Sequence, residues 1–328
     1  MFRFIVLLAC LLVPFLNAFS KPGLPISKPE WLIDTDAGPD DALAILYLLN
    51  QAPGKVQAIT IESNGSTYCE TALANLKKLL QLSHQSKIPL ACGRTRPLSG
   101  RHQFPKNLRI QWGQFTQVAL KPLKPPRKKA RELLIQILSQ ASKPLNILAL
   151  GPLTTLAEVF EKEPSLKNKI RMIYIMGGAL QVPGNIQTVL ATSPNSRAEW
   201  NIYLDPEAAE KIFHSGLALT LVPLDVTNQA LIDQDFYKRL QQRRKTPAAD
   251  FAYSLLTHYQ NLLRAHSWYF WDPMAAVIAT HEELAEFKIL PLSVALAPES
   301  LSGTTIIDPL HGAKIRVSLG IQVEQFKN

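Results

Sequence analysis

The stretch that most constrains this chain is Trp31 to Leu49, WLIDTDAGPDDALAILYLL. A short apolar run, Trp31-Leu32-Ile33, leads into four carboxylates within eight residues: Asp34, Asp36, Asp40 and Asp41. An almost wholly apolar stretch follows, with the length and residue types of a buried helix. Gly38 permits a tight turn, Pro39 suits a first helical position, and Asp40 and Asp41 fall where the helix dipole favours anions. The stretch reads as strand, acidic loop, helix. Capping that helix needs one carboxylate. Four in one loop repel one another unless a cation sits among them, and ligands that are all oxygen select a hard one, Ca²⁺ or Mg²⁺.

Further buried strands are expected over Val56 to Ile61, Ile88 to Ala91, Leu145 to Leu150, Ile170 to Met176 and Leu217 to Leu224. Helical patterns lie between them at Thr71 to Leu82, Ala130 to Ala141, Leu153 to Glu163 and Pro206 to His214. Pro247 to His266 reads as one long helix. This alternation predicts an α/β fold, a single domain with a mainly parallel, Rossmann-like central sheet flanked by helices. Ligands of such sheets gather beyond the C-terminal strand ends. The segments after Ile33, Ile61 and Ile175, and Leu150 itself, fall there.

At 328 residues, 47% hydrophobic and 19% charged, the chain can bury one large core. Much of its +9 net charge lies in Lys121 to Arg131, KPLKPPRKKAR, a solvated loop rather than a nucleic-acid surface. Residues 1–20 have the form of a signal peptide: Arg3, the short apolar run Phe4 to Phe15, and Ala18-Phe19-Ser20. Leu7-Leu8-Ala9-Cys10 resembles a lipoprotein box, but too little hydrophobic sequence precedes Cys10. The run is also too short and interrupted for a membrane anchor. The expectation is an exported protein, periplasmic or secreted, with a Pro-rich lead-in over 21–29 and a catalytic domain over 30–328. Cys69 and Cys92 remain after cleavage, as a disulfide or as buried thiols.

D-T-D-A-G-P-D-D between a strand and an apolar helix resembles the opening motif of the nucleoside hydrolases, the inosine–uridine-preferring family. The resemblance runs from Trp31 to Phe326. It implies a Ca²⁺ site made of Asp36, Asp41, the main-chain carbonyl of Leu150 in ALGPLT, and Asp272 in FWDPMAA. It implies hydrolysis of an N-glycosidic bond of a nucleoside, to ribose and free base, with Asp36 as general base. Asp40 matches the residue that grips the ribose 2′-hydroxyl, and Asp34 would orient the loop. Asn64 in IESNGS matches the family's asparagine with a slip of one residue. Asn185 in VPGN, with Glu199 and Asn201 in AEWN, matches the sugar clamp, and Met176 in IMGG would lie beneath the 5′ end. Two apart, Glu199 and Asn201 would share one face of an extended segment. A homo-oligomer, dimer or tetramer, is implied as well.

The departures concern the base. Many members place His before the last metal-binding Asp; here Trp271 stands there, as in the subgroup that stacks a purine on an aromatic ring. That subgroup carries F-P-x-x-W-R, whereas this chain reads Phe104-Pro105-Lys106-Asn107-Leu108-Arg109. Leu108 thus removes one wall, for which Phe104, Trp112 or Tyr269 could substitute. His102 and His266 are spare candidates for an acid on the leaving base. Thr155 stands where many members have Asn. Two other readings compete. One is a haloacid-dehalogenase-type phosphatase, whose D-x-D matches Asp34-Thr35-Asp36 but whose following Thr or Val is here Gly38. The other is a non-catalytic Ca²⁺-dependent nucleoside or ribose binder.

Overall fold

The computed structural model describes residues 29–100, 102–115 and 120–327. The leader expected over 1–20, and all but the end of the lead-in, lie outside them. The chain opens by alternating strand and helix: β1 (Trp31–Thr35), α1 (Pro39–Gln51), β2 (Val56–Ile61), α2 (Cys69–Leu82) and β3 (Leu90–Cys92). Helices α3 (Lys106–Trp112) and α4 (Ala130–Gln140) precede β4 (Leu145–Ala149), α5 (Thr154–Lys162) and β5 (Ile170–Met176). Next come α6 (Trp200–Leu204), α7 (Pro206–Phe213), β6 (Leu219–Val222) and α8 (Leu224–Thr227). Helices α9 (Gln234–Arg243), α10 (Pro247–His258), α11 (Gln260–Arg264) and α12 (Trp271–Thr280) follow. The chain ends with β7 (Ala285–Val294), β8 (Thr305–Ile307), β9 (Ala313–Ile321) and α13 (Val323–Phe326).

Among the described residues the strands form one sheet in the order β3-β2-β1-β4-β5-β6-β9-β7-β8. Every pair from β3 across to β9 is parallel, and β7 runs antiparallel to both β9 and β8. β1 sits inside the sheet with both faces covered, which is why it reads as an uninterrupted apolar run. Its side chains alternate between two cores. Trp31 and Ile33 pack with α1, α2 and α12 on one face; Leu32 packs with α4, α5 and α7 on the other. Among the described residues no helix is long and apolar enough to cross a membrane.

The parallel half follows the sequence pattern closely, and the differences have local causes. Pro223 ends β6 and opens α8, so the strand expected over Leu217 to Leu224 shortens to Leu219–Val222. Pro89 keeps β3 from starting before Leu90. The helix expected over Pro247 to His266 breaks at Tyr259, whose backbone (φ −98°, ψ 25°) leaves the helical region. Its buried hydroxyl donates to the carbonyls of Gln111 and Gln114, fixing the break. The antiparallel strands β7 and β9 escape the sequence reading because they are only half buried, and mix charged with apolar residues.

Cys69 and Cys92 do form a disulfide, with Cα atoms 6.0 Å apart, joining the first turn of α2 to the end of β3. Both sulfur-bearing residues are buried. The bond closes a span of 23 residues, for which loop entropy gives about 3 kcal/mol of stabilisation. Replacing both cysteines with serine should lower the unfolding free energy by about that amount. Urea or guanidinium titration of the two proteins checks it, and an unchanged midpoint at equal slope would show that the bridge adds nothing.

Candidate active site

β1 delivers its carboxylates to the C-terminal rim of the sheet. Ala37, just after Asp36, takes φ 58°, the left-handed region that side chains other than glycine rarely adopt. Gly38 is extended instead (φ −72°, ψ −179°), so its glycine is required for space. A Cβ there would lie 3.0 Å from Asp41 Oδ2 and 3.1 Å from Ser66 Oγ. The turn is locked by its own acids. Thr35 Oγ1 donates to Asp41 Oδ1, the Ala37 amide donates to Thr35 Oγ1 at 3.0 Å, and the Gly38 amide donates to Asp41 Oδ2 at 2.8 Å.

The loop after β2 grips Asp36. The Ser66 amide donates to Asp36 Oδ2 and the Ser66 hydroxyl to Oδ1, each at 2.8 Å, while Thr67 Oγ1 donates to the Asp36 carbonyl at 2.6 Å. Gly65 makes this possible: a Cβ there would overlap the Asp36 Cβ at 2.2 Å. Asp41 forms the hub. Asp36 and Asp272 both come within hydrogen-bonding reach of it. Ligand oxygens of Asp40, Asp41 and Asp272 lie within 4.8 Å of one another. Asp36, which the expected set includes, also lies against Asp41, with each of its oxygens accepting one hydrogen bond from Ser66. Asp272 enters from the first turn of α12, buried, with its Oδ1 unpartnered.

Burial, reinforced by the neighbouring carboxylates, pushes Asp41 and Asp272 well above the usual carboxylate range. Burial also raises Asp36, against the pull of the Ser66 hydrogen bonds. Asp40, partly exposed, is pushed up to about 7 by burial and by Asp36. Acids in that state, all offering oxygen, with one oxygen orphaned, fit a hard divalent cation. Leu150 reaches the same place: its amide donates to the Asp34 carbonyl at 2.8 Å, and its carbonyl accepts from Asn201 Nδ2 at 3.1 Å.

Asn201 ties that carbonyl to the other expected ligand-binding residues, since its Nδ2 also lies 3.1 Å from the Met176 carbonyl. Glu199 and Asn201 do not share an extended segment, as the two-residue spacing suggests. Glu199 is the N-cap of α6, its carboxylate accepting from the amides of Asn201, Ile202 and Gly178. Burial still raises it to about 7. Asn185 Oδ1 accepts from the Trp200 amide at 3.0 Å, holding the VPGN turn to the same cap. Asn64 donates to Thr154 Oγ1 at 2.9 Å and keeps its Oδ1 buried without a partner.

Asp34 is not part of the trio. Thr60 Oγ1 donates to it, Glu62 lies in hydrogen-bonding contact, and burial pushes it up to about 7. Glu62 in turn accepts from the Thr155 amide at 2.6 Å, so Thr155, in place of the family's asparagine, serves through its backbone. Trp271 is partly exposed. Its Nε1 donates to Asn228 Oδ1 at 3.1 Å, and its ring lies 5.9 Å from Tyr269. Leu108 packs instead into an apolar cluster with Phe104 and Trp200, and Trp112 lies 5.1 Å from Phe104. Neither spare histidine joins the acids. His102 stacks on Tyr203 and spends both ring nitrogens on the Tyr203 carbonyl and Glu299, while His266 is exposed with φ 49°. Glu62, Ser66 and Thr67 were not singled out in the sequence. Their one available signal was position, just after a buried strand, as the acids follow β1.

A buried carboxylate cluster that could hold a hard cation lies at the C-terminal rim of this α/β sheet, with Glu199 and Asn201 beside the Leu150 and Met176 carbonyls. The sequence model of the inosine-uridine preferring nucleoside hydrolases matches residues 31–328, and the chain belongs to that family. It is 33% identical over 302 residues to a pyrimidine-specific ribonucleoside hydrolase of Escherichia coli O1:K1, covering 90% of this chain and 94% of that one. A plant nucleoside hydrolase structure superposes with a TM-score of 0.79 at 28% identity, over 91% of this chain and 96% of the other. A purine-preferring ribonucleoside hydrolase from Gardnerella vaginalis does so with 0.75 at 25% identity, over 90% and 95%. The protein is a nucleoside hydrolase.

The acid cluster has a pH consequence. Asp34, Asp40 and Glu199 sit at about 7 when folded and near 4 when unfolded. Between those values the folded chain holds more protons, so without a cation its stability falls as pH rises from about 4 to about 7. Calorimetry of chelator-treated protein should therefore give a lower Tm at pH 7.5 than at pH 5.5. Added divalent cation should raise Tm more at the higher pH. Equal shifts at both would separate the cation from these acids.

Proposed function

We propose that the protein is an exported, Ca²⁺-dependent N-ribohydrolase that favours purine nucleosides. The convergence of Asp36, Asp41, Asp272 and the Leu150 carbonyl on one rim, beside Glu199 and Asn201, carries this reading. When bound, the Ca²⁺ would supply positive charge that acidifies an attacking water and orients the sugar hydroxyls. Asp36 takes the proton of that water, and the two Ser66 hydrogen bonds keep its carboxylate aimed. Asp40, in the first turn of α1, accepts from the ribose 2′-hydroxyl, while Asn64, Asn185, Glu199 and Asn201 hold the remaining hydroxyls, with Met176 beneath. The oxocarbenium-like charge that develops on the sugar lies among these carboxylates.

Trp271 supports the purine preference. Asn228 holds its indole in place, and a stacked indole stabilises a base that gains positive charge as it departs, by roughly 0.5–2 kcal/mol. A purine brings a basic N7 for that proton. The names of the relatives include both pyrimidine-specific and purine-preferring enzymes, so base choice rests on residues such as Trp271 and Leu108 rather than on the shared acids. Export is supported by the form of residues 1–20, and the buried disulfide suits an oxidising compartment. Assembly into a dimer or tetramer is proposed on family resemblance.

Release of ribose from inosine, guanosine, uridine, cytidine and nicotinamide riboside tests the reading directly. Inosine should outrun uridine, and about one Ca²⁺ per chain should be found by metal analysis. Asp36→Asn should lower turnover by roughly 10²–10⁴ with metal content retained; near-normal turnover would remove Asp36 from the role of base. Trp271→Ala should lose most inosine turnover while Trp271→Phe keeps part of it, with the loss in kcat rather than KM. Uridine outrunning inosine would reject the stacking.

A further inference from the structure

We infer that Arg109 is a positioning residue, tying α3 to the loop after β2 so that Asp36 is held in its working orientation. The inference rests on the reading of Asp36 as general base. Arg109 Nη2 donates to the Ser63 carbonyl at 2.7 Å and to the Thr67 carbonyl at 2.6 Å. Its Cζ lies 4.0 Å from the centre of the Tyr68 ring, within cation–π range. These contacts bracket Ser66, whose amide and hydroxyl hold both oxygens of Asp36. The guanidinium thus sits one residue-to-residue step behind the carboxylate, clamping the loop rather than touching Asp36.

Two features argue against simple structural filling. Among the described residues Arg109 makes no ion pair, its charge reaching Asp36 and Glu70 only at longer range, and its Nε is buried without a partner. An apolar side chain of similar length would avoid that desolvation. The helix itself is secured elsewhere: Asn75 Nδ2 donates to the Gly113 carbonyl at 2.9 Å, and Tyr259 holds the Gln111 carbonyl. Neighbouring Leu108 packs against the apolar cluster that holds Trp200, the residue between Glu199 and Asn201. One short helix therefore contacts the sugar-clamp side through Leu108 and the Asp36 side through Arg109.

Arg109→Met and Arg109→Lys in the full chain test this. For Arg109→Met we expect kcat to fall about 10–100-fold, with KM and calcium affinity changed less than about three-fold. Amide exchange over residues 62–68 should accelerate about ten-fold or more while β1 stays protected. Lysine, with one ammonium for two carbonyls, should recover part of the rate, and millimolar ethylguanidine should partly rescue Arg109→Ala, whose truncated side chain leaves room for it. Unchanged exchange and kcat in Arg109→Met would overturn the inference. So would a general loss of stability with kcat and KM moving together, which marks a structural role, or a lysine variant at the full rate. If the unaltered protein cleaves no nucleoside, the hydrolytic reading of Asp36 fails, while the exchange measurement still decides whether Arg109 holds the loop.

Discussion

Carboxylates withdrawn from water within a few ångströms of one another cannot all remain ionised. This chain gathers Asp36, Asp40, Asp41 and Asp272 under that constraint, with Glu199 close enough to feel the charge of Asp36. Much of the surrounding architecture exists to tolerate the arrangement. Backbone amides of Gly38 and Ser66 and hydroxyls of Thr35 and Ser66 point at the acids, and each would be wasted on an apolar loop. What hydrogen bonding leaves uncompensated is what a cation must supply.

Topology decides why these groups can meet at all. β1 pairs with β2 on one side and β4 on the other, so the loops leaving three adjacent parallel strands open on the same edge. From the first comes the acid turn, from the second the Ser66 clamp, and from the third the Leu150 carbonyl. The fourth contribution, Asp272, arrives on α12, which packs along α1 beneath the same rim. The Cys69–Cys92 bridge fastens the far end of the Ser66 loop, so that loop is held both at Asp36 and where it enters α2.

The sequence makes the parallel half of the sheet legible because buried parallel strands are unbroken apolar runs, and Val56–Ile61 and Ile170–Met176 match residue for residue. It makes the acids legible because like charges in one loop demand an explanation. It does not reveal the antiparallel strands β7 and β9, where half-burial blurs the pattern. Nor does it reveal which oxygen faces which. Asp40 and Asp36 are both visible in the motif, yet the sequence does not show Asp40 grouped with Asp41 and Asp272 while Ser66 grips Asp36. The shape of the Glu199–Asn201 turn was hidden for a similar reason: a glutamate acting as a helix cap is an uncommon choice of capping residue. Arg109 is visible in the Phe104–Arg109 motif, but not what it does, since its partners are two backbone carbonyls contributed from more than forty residues away.

Ala37 makes the loop unusual in one further respect. A methyl-bearing residue held at φ 58° costs on the order of 1–2 kcal/mol compared with an ordinary conformation. The bonds around it hold that conformation: Thr35 and Gly38 both donate to Asp41, the Ala37 amide donates to Thr35 Oγ1, and Thr67 Oγ1 donates to the Asp36 carbonyl. The turn is therefore a loaded spring whose catch is the Asp41 carboxyl group. Where removing Asp41 releases the catch, the loop has an energetic incentive to relax, so the damage reaches beyond one missing carboxyl group. Glycine at the same position would unload the spring, and a loop that no longer stores this energy would tolerate the loss of Asp41 with less displacement of Asp36.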